Sequence, residues 1–258
     1  YITLDAYLNE NFRLAAGIRN EDGEQMVNTY DVFQMVDNNI EKVIDEDYTL
    51  PSFTLTYLPD FDENLQIRLG LSQTIARPTF RELSPTLFID VDTDRVISGS
   101  LYLENSEIDN IDLRVEYYWG FNQFLTAGLF FKDISKPIEE VVNESGDLII
   151  TSYQNVPSAE VTGFEIEYER IYEDLLPDSK WGSTKEFIFK MNFTATDSEV
   201  IYSDTDTYIN TQGSEINAAS LFANGRDTRL QGQSEEIANL QLGWDDLQNA
   251  TQGTLIVN

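Results

Sequence analysis

The sequence predicts an all-β fold, an antiparallel up-and-down transmembrane β-barrel segment of about ten long strands, and three observations carry that prediction. The stretch Asn64–Ala76, NLQIRLGLSQTIA, alternates strictly: Leu65, Ile67, Leu69, Leu71 and Ile75 fall on one side of an extended strand, and Gln66, Arg68, Gly70, Ser72 and Thr74 on the other. Strands in soluble domains usually run about five or six residues, so something thicker than an ordinary sheet face is being crossed. Short turns and long loops then alternate along the chain, which puts every short turn at one end of the sheet and every long loop at the other. Aromatic residues gather near the short-turn end, including Phe12, Tyr57, Tyr117, Trp119, Tyr168, Trp181 and Trp244. A membrane interface selects amphipathic rings at one such level.

Taken in order, Ile2–Leu8 and Phe12–Arg19 read as a hairpin around Asn9–Asn11, with Phe12, Leu14, Ala16 and Ile18 alternating against Arg13, Ala15, Gly17 and Arg19. Residues 21–47 are polar, acidic and without sustained alternation, and are expected to be a long loop. Tyr48–Leu58 returns as a strand with Phe53, Leu55 and Tyr57 on one face, and a turn at 59–63 leads into Asn64–Ala76. Residues 77–107 form a second expected loop, Ile108–Trp119 a strand, and Phe124–Ile134 its partner. Residues 135–157 form a third loop with a small hairpin near Glu144–Asp147. Val161–Arg170 sets Phe164, Ile166 and Tyr168 against Glu165, Glu167 and Glu169, carboxylates that need water or countercharge. Phe187–Ala195 follows, then a fourth loop to about Leu230, and Glu236–Trp244 with Gly253–Asn258 as the last pair.

Composition narrows the function. Sixteen Lys and Arg stand against 46 Asp and Glu, a formal charge of -30, which argues against nucleic acid as a partner. The absence of Cys and His removes disulfides, thiolate metal sites, the commonest metal ligand and the usual general base. No enzyme and no cofactor is expected. The run DVDTDR at 90–95 imitates the start of a calcium loop, but Arg95 replaces the required Gly and Leu101 the required Glu. No metal site is expected, and Asp90, Asp92 and Asp94 are only weak candidates for one. A soluble sandwich or lipocalin-like barrel would share the alternation, but not the strand length, the one-sided loops or an opposite face bearing Arg68, Arg114, Glu116, Glu165, Glu167 and Lys190.

The motifs carry a resemblance as well. RLGLSQTIARPTFRELSP at 68–85, Gly99–Leu103 with ENSEIDNIDL behind it, EYYW at 116–119, GLFFKDISKPI at 128–138, GFEIE at 163–167, LQGQS at 230–234 and ANL at 238–240 occur in an order that resembles the C-terminal part of a TonB-dependent outer-membrane receptor barrel. Its motif positions here are Ala76, Arg77, Pro78, Gly99, Gly163, Glu165, Gln231, Gly232, Gln233 and Ser234. The sequence departs at Gly99-Ser100-Leu101, where the family commonly has Gly-Asn-Pro.

The resemblance implies a barrel of about 22 strands with a plug inside. Residues 1–258 would then be a partial barrel domain, a fragment without the plug and the closing strands. It implies energised import of a scarce bulky nutrient (a ferric siderophore, haem, cobalamin or an oligosaccharide) across the outer membrane of a Gram-negative bacterium. The partners implied are the TonB complex, acting through the plug, the plug itself, membrane lipid and the cargo. Lumen-facing and plug-facing residues are expected at Arg13, Arg19, Arg68, Arg114, Glu116, Glu165, Glu167 and Lys190. Pro78 biases Arg77 toward extended backbone and a fixed exit into the loop, and Gly163 marks a close backbone approach or a bend in its strand. The alternatives are a passive porin-like channel and a self-contained ten-stranded outer-membrane barrel.

Overall fold

Each apolar-polar alternation becomes a rung-by-rung ladder in the computed structural model, which describes residues 1–29, 40–92, 94–145, 148–173, 175–176, 184–220, 229–246 and 248–258. Strand β1 (Ile2–Tyr7) pairs with β2 (Phe12–Thr29) across a turn in which the Asn9 side chain accepts the N–H groups of Asn11 and Phe12, both at 2.9 Å. Strands β3 (Ile40–Tyr57) and β4 (Leu65–Ala76) follow. A helical turn α1 (Phe80–Leu83) and two short strands, β5 (Phe88–Ile89) and β6 (Val96–Ile97), occupy the next loop. Then come β7 (Ser106–Gly120) and β8 (Gln123–Ser135), a loop hairpin of β9 (Ile138–Ser145) and β10 (Leu148–Asn155), and the pair β11 (Ser158–Tyr172) and β12 (Glu186–Ile201). Strands β13 (Thr207–Ile209) and β14 (Glu215–Asn217) with the 3-10 turn Ala218–Ser220 precede β15 (Glu236–Asp246) and β16 (Thr251–Val257).

Ten of these strands form one antiparallel sheet in the order β1-β2-β3-β4-β7-β8-β11-β12-β15-β16, with β1 and β16 at its edges. Every neighbour in the sheet is the next long strand in sequence, the up-and-down order expected. A second sheet, β5-β6-β10-β9, and the β13-β14 hairpin are built from loop residues.

The strands run further than hydropathy indicated. Residues 21–47, expected to be a loop, instead carry β2 on to Thr29 and bring β3 back from Ile40, in one unbroken register from Phe12↔Tyr57 to Thr29↔Ile40. Backbone hydrogen bonds hold this extension, and its period survives in burial: Glu21, Gly23, Gln25 and Val27 are half-buried while Asp22, Glu24, Met26 and Asn28 are exposed. Hydropathy cannot register a strand whose two faces are both polar. The loop expected at about 196–230 is shortened in the same way by β12, which runs to Ile201, while those expected at 77–107 and 135–157 lose only a residue or two to β7 and β8. The expected small hairpin is present as β9–β10, much longer than its turn residues alone implied.

Register assigns the faces. Leu55, Leu69, Leu113, Leu129, Phe164 and Ala195 stand side by side on six adjacent strands, and Thr56, Arg68, Arg114, Gly128, Glu165 and Thr194 form the next row on the opposite face. Leu69, Leu113 and Leu129 are 36%, 41% and 60% exposed while Glu116 on the polar face is 2% exposed. That is the reverse of a soluble sandwich, whose apolar rows meet in a dry centre. Rings mark one level of the apolar face: Phe12 packs on Tyr57 at 5.0 Å, and Trp119, Tyr168 and Phe189 succeed one another at 5.6 Å. Trp181, expected in this band, lies outside the described residues.

One buried apolar cluster sits between the ten-stranded sheet and the loop elements that cover it. Ile44, Leu83 and Leu103 cluster with Val27, Ile138 and Tyr153. Ile44 and Val27 share the face of Thr56 and Arg13 by strict alternation, so α1 and the β9–β10 hairpin lie on the polar face at the loop end.

Candidate functional site

The polar face carries a charged network at the level of the exposed leucines. Arg68 and Arg114 stand directly opposite each other in the β4–β7 ladder, a juxtaposition of like charges that costs free energy unless a carboxylate intervenes. Glu116 intervenes. Its carboxylate takes Arg68 Nη2 at 3.3 Å, Arg114 Nε at 3.3 Å, the Tyr118 hydroxyl at 3.1 Å and the Gln66 amide. Arg114 extends the network to Glu165 at 3.6 Å and Glu167 at 3.5 Å, and donates to Thr126 Oγ1 at 3.1 Å. A buried carboxylate is tolerated here because it is paired with charge and hydrogen-bonded at once.

Five of the expected lumen-facing residues, Arg68, Arg114, Glu116, Glu165 and Glu167, thus meet in one cluster. The other three share the polar face but stand apart. Lys190 pairs with Glu169 at 2.7 Å, Arg13 donates to Asp5 at 2.8 Å, and Arg19 pairs with Glu21.

At the loop end the motif residues build a cap. Ala76 closes β4 opposite Ser106. Arg77 turns back to Glu21 at 2.8 Å, and the carbonyl of buried Pro78 accepts the Gln25 amide at 2.9 Å. Thr79 and Glu82 cap α1 reciprocally, the Thr79 N–H donating to Glu82 Oε2 at 2.7 Å and the Glu82 N–H to Thr79 Oγ1 at 3.3 Å. Gly99 lies flat on the end of α1, where a Cβ would fall against the carbonyls of Arg81, Glu82 and Ser84. At Gly163 a Cβ would fall against the Phe130 ring and the Ala195 carbonyl.

The β9–β10 hairpin has two covered faces. Ile138 and Tyr153 meet the Ile44 cluster, while Glu139, Val141 and Gln154 face β12 and the 230–235 segment across a cavity of about 370 Å³. The motif Gln231–Ser234 walls that cavity: the Gln231 N–H donates to Glu139 Oε2 at 3.2 Å, its side chain to the Glu140 carbonyl at 2.9 Å, and the Ser234 carbonyl accepts Thr196 Oγ1 at 2.9 Å. Gly232 takes a left-handed φ of 73° within it. Burial pushes the Glu139 carboxyl up to about 6, against the pull of the Gln231 N–H.

Asp90, Asp92 and Asp94 do not converge. Asp90 accepts the Asp92 N–H at 2.9 Å as a turn, Asp94 has a φ of 55°, and no described residues form a group of three or more ligands that could hold a metal ion.

A family model described as TonB dependent receptor-like, beta-barrel, matches residues 1–255. The chain belongs to that family. No curated protein sequence matches it. Among solved structures it is similar to a double mutant of the Serratia marcescens hemophore receptor HasR in complex with its hemophore HasA and heme, with a TM-score of 0.56 and 12% identity over 96% of this chain and 41% of that one. It is also similar to the siderophore receptor PirA from Pseudomonas aeruginosa (0.45, 11%, 95% and 41%). The ferric enterobactin receptor PfeA of Pseudomonas aeruginosa follows (0.44, 15%, 93% and 36%). The chain spans about two fifths of the length of these structures, and at such identities the likeness speaks for the fold alone.

In this TonB-dependent receptor barrel Arg68, Arg114, Glu116, Glu165 and Glu167 share one face by register, whereas no periodicity in the sequence singles out Glu139 and Gln154. The acidic pair after KPI was the one available signal, and it looks like any solvated loop charge.

Proposed function

We propose that this chain forms wall and vestibule of an outer-membrane importer in a Gram-negative bacterium, part of a larger barrel of about 22 strands. In this reading the importer captures a ferric siderophore, haem, cobalamin or an oligosaccharide and moves it inward with energy relayed by TonB through a plug domain. The observation that carries the reading is the reversal of faces: rows of exposed leucines on one side, an ion-paired network on the other, and loops folded over the charged side. Membrane lipid takes the first face. The second lines a hydrated interior where Arg68, Arg114 and Lys190 meet plug or water. The wall catalyses no reaction.

The test is uptake in cells carrying or lacking the whole gene, each with and without TonB, using that panel of cargoes. One cargo is expected to accumulate only when both are present. Accumulation that ignores the loss of TonB would favour the passive channel instead. Arg68→Glu in the whole receptor places two carboxylates together beside Arg114 and is expected to lower both uptake and protease protection of the plug.

A further inference from the structure

The cavity beside the β9–β10 hairpin holds hydrogen-bonding capacity that the fold does not use. Glu139 and Gln154 stand opposite each other in the hairpin ladder, are 9% and 3% exposed, and both line the cavity. The Gln154 amide nitrogen is buried without a hydrogen-bond partner, a state that costs free energy and calls for an acceptor. Three residues that line the cavity with it are already engaged. Thr196 Oγ1 donates to the Ser234 carbonyl, Ser198 Oγ accepts the Leu230 N–H at 3.1 Å, and the Gln231 side chain serves Glu140. An unused donor therefore lies beside a carboxyl that accepts a single backbone N–H.

We propose that this cavity binds a small uncharged polyol of mono- or disaccharide size, one hydroxyl oxygen accepting from Gln154 and an adjacent hydroxyl donating to Glu139. The inference deepens the import reading and rests on it for the ligand's fate. Charge and donor pattern choose the class. Glu139, Glu140 and Glu235 line the cavity against a single cation, Arg229, which is paired with Glu235, in a chain with a formal charge of -30, a balance that repels an anion. An ammonium group offers donors only and leaves Gln154 unpaired, whereas a hydroxyl is donor and acceptor together. Val141, Val156, Val200 and Leu230 supply apolar wall for the C–H faces of a ring. The volume of about 370 Å³ falls within the roughly 300–1,000 Å³ of small-molecule sites.

The whole membrane protein, purified in detergent, is to be titrated calorimetrically with glucose, galactose and maltose, and with glucose 6-phosphate as the anionic control. At least one neutral sugar is expected to bind saturably and the phosphate ester not to bind. Gln154→Leu should weaken that binding about tenfold, the loss of one hydrogen bond to a buried partner. Val141→Phe, at a half-buried position that tolerates bulk, should abolish it by filling the cavity while leaving the melting temperature unchanged. Absence of binding by every neutral sugar at millimolar concentration overturns the proposal, as does binding that survives both substitutions. Equal binding of the phosphate ester overturns the choice of class. TonB-dependent uptake that persists without sugar binding sinks this site alone; sugar binding with TonB-independent uptake sinks the import reading alone.

Discussion

Removing the Glu116 carboxylate leaves Arg68 and Arg114 facing each other across the β4–β7 ladder, with Arg114 alone still held by carboxylates, those of Glu165 and Glu167. Breaking a buried pair costs about 3–5 kcal/mol; both arginines here keep some access to water, so Glu116→Ala should cost about 2 kcal/mol, and Glu116→Gln less because the amide oxygen still accepts. Thermal unfolding of the whole protein in detergent measures the order wild type, Gln, Ala. Glu139 behaves differently because its carboxyl is raised from 4.5 to about 6. Its contribution to hairpin docking is fully present below pH 4.5 and is lost as the pH rises through about 6, a swing of about 1–2 kcal/mol. Glu140, Arg229 and Glu235 line the same cavity, so Glu139→Gln is the control that isolates it. Hydrogen exchange in β9 and β10, corrected for intrinsic rate, should rise across that window in the wild type and stay flat in the variant. These two glutamates were unequally legible from sequence. Glu116 alternates with apolar Val115 and Tyr117 on a lipid-crossing strand; Glu139 belongs to a hairpin covered on both faces, where no face is distinguished by its hydropathy.

Among the elements, the turn α1 is held less by its four residues than by what closes on it. The N–H groups of Gly99 and Ser100 donate to the carbonyls of Ser84 at 2.8 Å and Glu82 at 2.7 Å, so the GSL stretch serves here as the lid of a helical turn. Gly99→Val drives a branched side chain into three carbonyls and should destabilise the cap by about 3 kcal/mol, the upper end of overpacking costs. Loss of exchange protection across residues 80–103 without loss in β7 or β8 is the expected signature. The departure from Gly-Asn-Pro at this position leaves the glycine, the one residue of the three that the packing requires to lack a Cβ. The long strands were legible wherever one face is apolar, as in β4 and β8. Their extensions, such as Glu21–Thr29, were not, because ladder hydrogen bonds leave no mark on side-chain polarity.

For the whole molecule the decisive quantity is which face meets lipid. These 258 residues contain no Cys, so single cysteines placed among them in an otherwise cysteine-free whole protein report on one site each. Leu113→Cys and Leu129→Cys should react with a membrane-restricted maleimide and resist a charged one, and Thr194→Cys should do the opposite. Strand order was legible because turn length alternates along the sequence, while the inward fold of the loops was not, since it depends on contacts between β3, α1 and β10 that are far apart in the chain. That fold has a geometric consequence. Six neighbouring strands from β3 to β12 span five spacings, about 24 Å measured along the wall at about 4.8 Å each. The hairpin packs on the cluster of Ile44, Leu83 and Leu103 through Ile138 and Tyr153, and it faces β12 only across the cavity. Loop residues therefore stand inside that arc, packed against one side of the wall and parted from the other by an open space, so that whatever fills the space joins the two sides of the mouth.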